Sequence, residues 1–167
     1  MEELNDTQSE SDDRGIDIKW VGVNSFKFPI LFQDKSEKQS TIADFQLSVD
    51  LAYNHRGTHM SRFIEVLNDR CEIISIKNLS NLNNCLVDKL GSTNSKISID
   101  LPYFINKNAP ETNSKGIVDY GVNLVSTLEN GSYELMSTVS VPVTTLCPCS
   151  KAISDRGAHN QRGCVKF

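Results

Sequence analysis

Ala43-Asp44-Phe45-Gln46-Leu47-Ser48-Val49-Asp50-Leu51-Ala52-Tyr53 carries the cleanest pattern in the chain. Its apolar residues from Ala43 to Tyr53 are interleaved with Asp44, Gln46, Ser48 and Asp50, the period of a strand with one buried and one wet face. Upstream, Ile16, Ile18 and Trp20 alternate with polar neighbours, and Phe26, Phe28 and Ile30 follow, with Pro29 marking an edge or a bend. The polar stretch Gln33 to Gln39 separates the two runs. Ile16 to Tyr53 is therefore predicted to be a β-hairpin.

Downstream the period changes from two to that of a helix. Met60, Phe63, Val66 and Leu67 share one helical face, with Thr58 or Ser61 able to cap its start. Leu79, Leu82, Leu86 and Leu90 form a second apolar stripe, with Ser80 near its start and Gly91 as a stop. Alternation then returns at Ile97 to Ile105, at Val118 to Leu124 and at Tyr133 to Val143. The last two runs meet at Asn130-Gly131, a strong hairpin signal because both residues tolerate positive φ. The order of two strands, two helices and three strands predicts an α+β fold, with both helices on one face of an antiparallel sheet.

The chain has 167 residues, 38% of them hydrophobic, which suffices for one ordinary domain or for a module plus part of another. Residues 1–15 are rich in acids and Ser and poor in apolar residues, so a disordered tail is expected there. A net charge of -4 and no Lys/Arg cluster argue against nucleic acid as a partner. No run approaches the roughly 20 apolar residues of a membrane helix, and the N-terminus is acidic where a signal peptide is basic. A cytoplasmic location without membrane contact is expected.

Five cysteines, Cys71, Cys85, Cys147, Cys149 and Cys164, in a chain read as cytoplasmic point to thiols or metal ligands rather than a disulfide framework. Two residues apart on an extended strand, Cys147 and Cys149 would lie about 7 Å from each other, too far for a bridge. Cys147-Pro148-Cys149 is followed by Gly157-Ala158-His159-Asn160-Gln161-Arg162, whose His159 lies ten positions after Cys149. Thiolate with imidazole suits Zn²⁺ or a similar divalent metal, and a set of at most three ligands leaves a position open, as a catalytic metal requires. Taken alone, such residues are more often a buried thiol and a hydrogen-bonded histidine. His59 and Arg62 read as capping or packing residues at a strand-to-helix junction.

Four segments together resemble the B-type GTP cyclohydrolase I family. They are Gly57-Thr58-His59-Met60-Ser61-Arg62-Phe63, Pro142-Val143-Thr144, Leu146-Cys147-Pro148-Cys149-Ser150-Lys151 and Gly157-Ala158-His159-Asn160-Gln161-Arg162, and the resemblance spans about residues 16 to 162. It implies a tunnelling fold, with residues 16–110 as a first unit and 111–167 as an incomplete second unit. It implies hydrolysis of GTP at C8, release of formate and formation of 7,8-dihydroneopterin triphosphate for folate synthesis. It also implies a divalent metal (Zn, Mn or Fe) on Cys147 and His159, with Cys147 and Cys149 as catalytic residues and a homo-oligomer as the assembly. A divalent ion lowers the pKa of bound water toward neutrality, which suits attack at C8. His159 would bind as neutral imidazole, with Asn160 or Gln161 nearby to orient it.

Family members continue past this motif to carboxylates for the metal and the guanine edge. Gly163-Cys164-Val165-Lys166-Phe167 also departs from the Ser expected after Arg162, so a truncated product is expected, with its substrate-binding residues unknown. Two other functions fit less of the pattern. One is a folded, metal-binding fragment without turnover; the other is a nitrile reductase of the queuosine pathway, which the Cys-Pro-Cys with its following His fits poorly.

Overall fold

The computed structural model describes residues 11, 13–35, 37–70, 73–155 and 157–167. Its elements are β1 (Ile18–Gln33), β2 (Lys38–Leu51), α1 (Met60–Arg70), β3 (Ile73–Ile74), α2 (Leu79–Leu90), β4 (Ser95–Asn108), β5 (Lys115–Glu129), β6 (Ser132–Leu146), α3 (Pro148–Ala152) and β7 (Asn160–Lys166). One seven-stranded sheet runs β3-β1-β2-β4-β5-β6-β7. Every neighbouring pair is antiparallel except β1 and β3, where Leu31 sits beside Ile73. The sheet is therefore mixed rather than antiparallel throughout. Two residues are too few for β3 to show a period in the sequence.

The hairpin, both helices and the α+β class appear as the sequence predicts. Phe45, Leu47 and Val49 on β2, Ile97 and Ile99 on β4 and Leu124 on β5 pack against Phe63, Leu67, Leu79 and Leu86 of the helices, all essentially without solvent contact. Each such side chain contributes about 1.5–3 kcal/mol on burial. Asn130 and Gly131 take φ of 52° and 78°, which closes the β5–β6 hairpin with the hand that twisted strands need. Gly22 has a different reason to be small. A Cβ there would lie 1.9 Å from the Leu47 carbonyl oxygen across the β1–β2 ladder.

Several expected core residues lie elsewhere. Met60, at the first position of α1, is 42% exposed, and Tyr53 lies past the end of β2 with its amide donating to Asp17 Oδ1 at 2.9 Å. Ile16 precedes β1 and is also exposed. Ser61 sits inside α1 rather than capping it, and the first turn closes through the Arg62 amide on the His59 carbonyl at 3.1 Å. α2 starts at Leu79, after Asn78, with Ser80 near its start as expected. Most of the tail expected over 1–15 lies outside the described residues; Ser11 bridges to His55, and Arg14 Nη2 donates to the Arg56 carbonyl at 3.4 Å. Among the described residues no helix is long and apolar enough to cross a membrane.

Helices α1 and α2 cover one face of β1, β2 and β4, and α2 reaches β5. The same face of β5 and β6 continues past them as an apolar groove of about 860 Å³, lined by Tyr103, Ile105, Val122, Val139 and Val141 among others.

Candidate functional site

The β6–β7 ladder holds one register from Ser140↔Lys166 to Leu146↔Asn160. It continues one step further, where the Cys147 amide donates to the His159 carbonyl at 3.3 Å. Cys147 and His159 therefore stand directly opposite each other. Opposed residues in an antiparallel pair have Cβ atoms about 5 Å apart on one face, so the thiol and the imidazole are neighbours although twelve positions separate them. Cys147 is partly buried and His159 exposed.

Pro148 ends the strand and begins α3. Its missing N–H and preset φ suit the first helical position, and the Lys151 amide closes the turn on the Cys147 carbonyl at 3.1 Å. Cys149 is thereby carried into the first turn of α3, where it is exposed. Cys85, Cys147, Cys149 and Cys164 are all free thiols, and Cys71 lies outside the described residues.

Strand alternation sorts the remaining motif residues. Gln161 lies on the same face as His159, opposite Thr145, while Asn160 and Arg162 point to the other face. Farther along β6, that same face carries Val143, Val141 and Val139, so the Cys147–His159 pair sits at the end of the face that forms the apolar groove.

The Gly57–Phe63 motif is not brought to this pair. It follows the C-terminal end of β2, which pairs with the start of β4, and that edge continues through the β5–β6 turn; Cys147 follows the opposite end of β6. The length of β6 alone puts about 45 Å between the two ends. Arg62 Nη1 donates to the Lys89 carbonyl at 3.4 Å and so closes the last turn of α2, while Lys89 pairs with Glu65 at 3.0 Å. A polar cleft of about 370 Å³ lies there, among His55, His59, Arg62, Asp88 and Thr93. Neither cavity includes Cys147 or His159 in its lining.

The thiol of Cys147 and the imidazole of His159, held opposite each other by the backbone pairing, are of the side-chain types that serve as protein ligands in catalytic zinc centres. Among the described residues no three His, Cys, Asp or Glu side chains converge, so Cys149 does not complete a set with them.

The family model described as "Type I GTP cyclohydrolase folE2" matches residues 4–167. The chain belongs to that family. A GTP cyclohydrolase FolE2 from Thiobacillus denitrificans is 47% identical over 161 residues, which cover 96% of this chain and 60% of that protein. The FolE2 of Akkermansia muciniphila is 45% identical over 170 residues, covering 100% of this chain and 64% of the relative. That of Magnetococcus marinus is 45% identical over 164 residues, covering 98% and 62%. The chain thus spans roughly three-fifths of the length of the FolE2 proteins it matches. The sequence motifs had pointed to this family; the cross-strand opposition of Cys147 and His159 had not been visible, because β7 is short and irregular in hydrophobicity.

Proposed function

We propose that this chain acts as a GTP cyclohydrolase of folate biosynthesis, opening the guanine of GTP at C8, releasing formate and yielding 7,8-dihydroneopterin triphosphate. The observation that carries the reading is the opposition of Cys147 and His159 at the end of β6, within a chain of the FolE2 family. A divalent ion, Zn, Mn or Fe, bound there supplies Lewis acidity toward water and the purine. Cys147, as thiolate, and His159, as neutral imidazole, would hold it. Cys149, exposed in the first turn of α3, would pass a proton to a ring nitrogen as the bond to C8 opens.

The same reading places the chain in the cytoplasm as a homo-oligomer. Support for assembly comes from β7, an edge strand among the described residues, all of whose residues are exposed. The sheet order supports a tunnelling fold with a first unit over 16–110 and the start of a second over 111–167. A folded, metal-binding chain without turnover remains the second reading, favoured by the two-donor set. The family match favours either over a nitrile reductase.

The test is formate and pterin release from GTP by the purified chain with Mn²⁺ or Zn²⁺. Release by the parent chain, lost in Cys147→Ala, is the expected result. A folded, metal-loaded chain that releases no formate would overturn the catalytic reading in favour of the second.

A further inference from the structure

We infer that β7 pairs edge to edge with β7 of a second copy, antiparallel about a two-fold axis at Gly163, so that the partner's Phe167 packs against His159. The inference rests on the homo-oligomer proposed above and not on the action on GTP.

Backbone hydrogen bonds decide which groups of β7 can reach a partner. Val139 and Phe167 exchange both of their amide-to-carbonyl bonds at 3.1 Å, and the Cys147 amide donates to the His159 carbonyl at 3.3 Å. Such exchanging pairs recur at every second residue of an antiparallel ladder. Val165, Gly163 and Gln161 therefore bond back to β6, while Asn160, Arg162, Cys164 and Lys166 aim their N–H and C=O groups away from it. Among the described residues no strand lies on that side, and every residue of β7 is exposed. A row of outward backbone groups of this kind is a template for another strand.

Charge selects the register. Arg162 and Lys166 are the charged residues of β7, and both belong to the outward set. Centring two copies on Arg162 opposes that guanidinium to itself, and centring them on Cys164 sets Arg162 against the partner's Lys166. Like charges directly opposite each other destabilise a sheet. Centring on Gly163 pairs all 7 residues of β7, with Arg162 opposite the partner's Cys164 and Lys166 opposite the partner's Asn160.

Gly163 suits the axis. A Cβ there would meet Val143 Cγ2 at 3.5 Å, an ordinary contact, so its own chain leaves room for a side chain. A glycine inside a strand often marks the close approach of another backbone, and at a pair without mutual hydrogen bonds the Cα atoms stand only about 4.5 Å apart. On the same face Gln161 then opposes the partner's Val165, and His159 opposes the partner's Phe167. Val165 is 39% and Phe167 77% exposed in the single chain. Pairing covers both and lays an apolar ring beside each Cys147–His159 pair.

The test joins sedimentation equilibrium of the parent chain to diamide cross-linking of Gly163→Cys in a Cys149→Ser, Cys164→Ser background. The parent is expected at twice the monomer mass. Gly163→Cys is expected to form a disulfide dimer, because a pair about 4.5 Å apart lies within disulfide reach. Lys166→Cys in the same background should not, since its two copies would lie about 20 Å apart along the strands. A dimer in which Gly163→Cys fails to cross-link, or Lys166→Cys does so as readily, would overturn the inference and leave a homo-oligomer standing. A parent chain that sediments as a monomer throughout would overturn both.

Discussion

The Asn83 side chain on α2 donates to Ser126 Oγ on β5 and so ties the second helix to the strand through two residues 43 positions apart. Asn83 Nδ2 also reaches the Leu79 carbonyl at 3.1 Å, and the Ser95 hydroxyl donates to Asn83 Oδ1 at 2.9 Å or to its carbonyl at 3.0 Å. All three polar residues are fully buried. Every member has a partner, which is the condition for a buried polar network to stabilise rather than weaken a core. Asn83→Ala should cost about 1–2 kcal/mol, because it removes the side-chain hydrogen bonds to Ser126 and Ser95 while the Ser95 hydroxyl keeps the backbone carbonyl of residue 83 and Ser126 keeps the Tyr133 hydroxyl. Urea denaturation would show this as a lower midpoint at unchanged slope; a shift worth under about 0.5 kcal/mol would speak against the network.

Asp50 fixes the turn after α2. Its carboxylate accepts from the Thr93 amide at 3.0 Å, the Thr93 hydroxyl at 2.6 Å and the Asn94 amide at 2.7 Å. Desolvation pushes its pKa up, but these hydrogen bonds together outweigh it and hold the carboxyl below its ordinary 3.8. A depressed native pKa gives stability that is complete above the unfolded value and is lost as pH falls through the folded one. Asp50→Asn is expected to cost about 1 kcal/mol near neutrality and to flatten the acid limb of the stability profile below about pH 4. Parallel acid limbs for parent and variant would contradict this.

Tyr103 lines the apolar groove and donates its hydroxyl to Asp34 Oδ2, with Phe32 edge-on to its ring. The hydrogen bond to Asp34, then burial and the nearby negative charges of Asp34 and Glu37, push its pKa up to about 12. For a raised pKa the sign reverses. The contribution is complete below the ordinary 10.0 and is lost as pH rises through about 12. Absorbance titration should show a late phenolate step near pH 12 that Tyr103→Phe removes, together with a loss of about 1 kcal/mol at neutral pH.

The sequence made the hairpin, both long helices and the Asn130-Gly131 turn legible because each has a strict period or a residue with special φ. Leu79, Leu82 and Leu86 are buried where the stripe placed them. Met60 and Ile16 misled because apolar residues at the ends of elements reach solvent as readily as core. β3, with Ile74 buried, is too short to show a period, and the wholly exposed β7 has no buried face, so periodicity had nothing to report in either. Cys147 and His159 were named from their motif, yet their opposition comes from the β6–β7 register, a long-range pairing that local pattern does not encode. For the same reason the separation of Gly57–Phe63 from Cys147 emerges only from the strand order.

The most direct measurement is a Co²⁺ titration of the chain, followed by the near-ultraviolet charge-transfer band of a thiolate–cobalt bond. One equivalent should produce the band. Cys147→Ser should abolish it, His159→Ala should weaken Co²⁺ binding by at least about 10-fold, and Cys149→Ser should leave it in place. A band that survives Cys147→Ser, or that depends on Cys149 instead, would contradict a metal centre built on the opposition of Cys147 and His159.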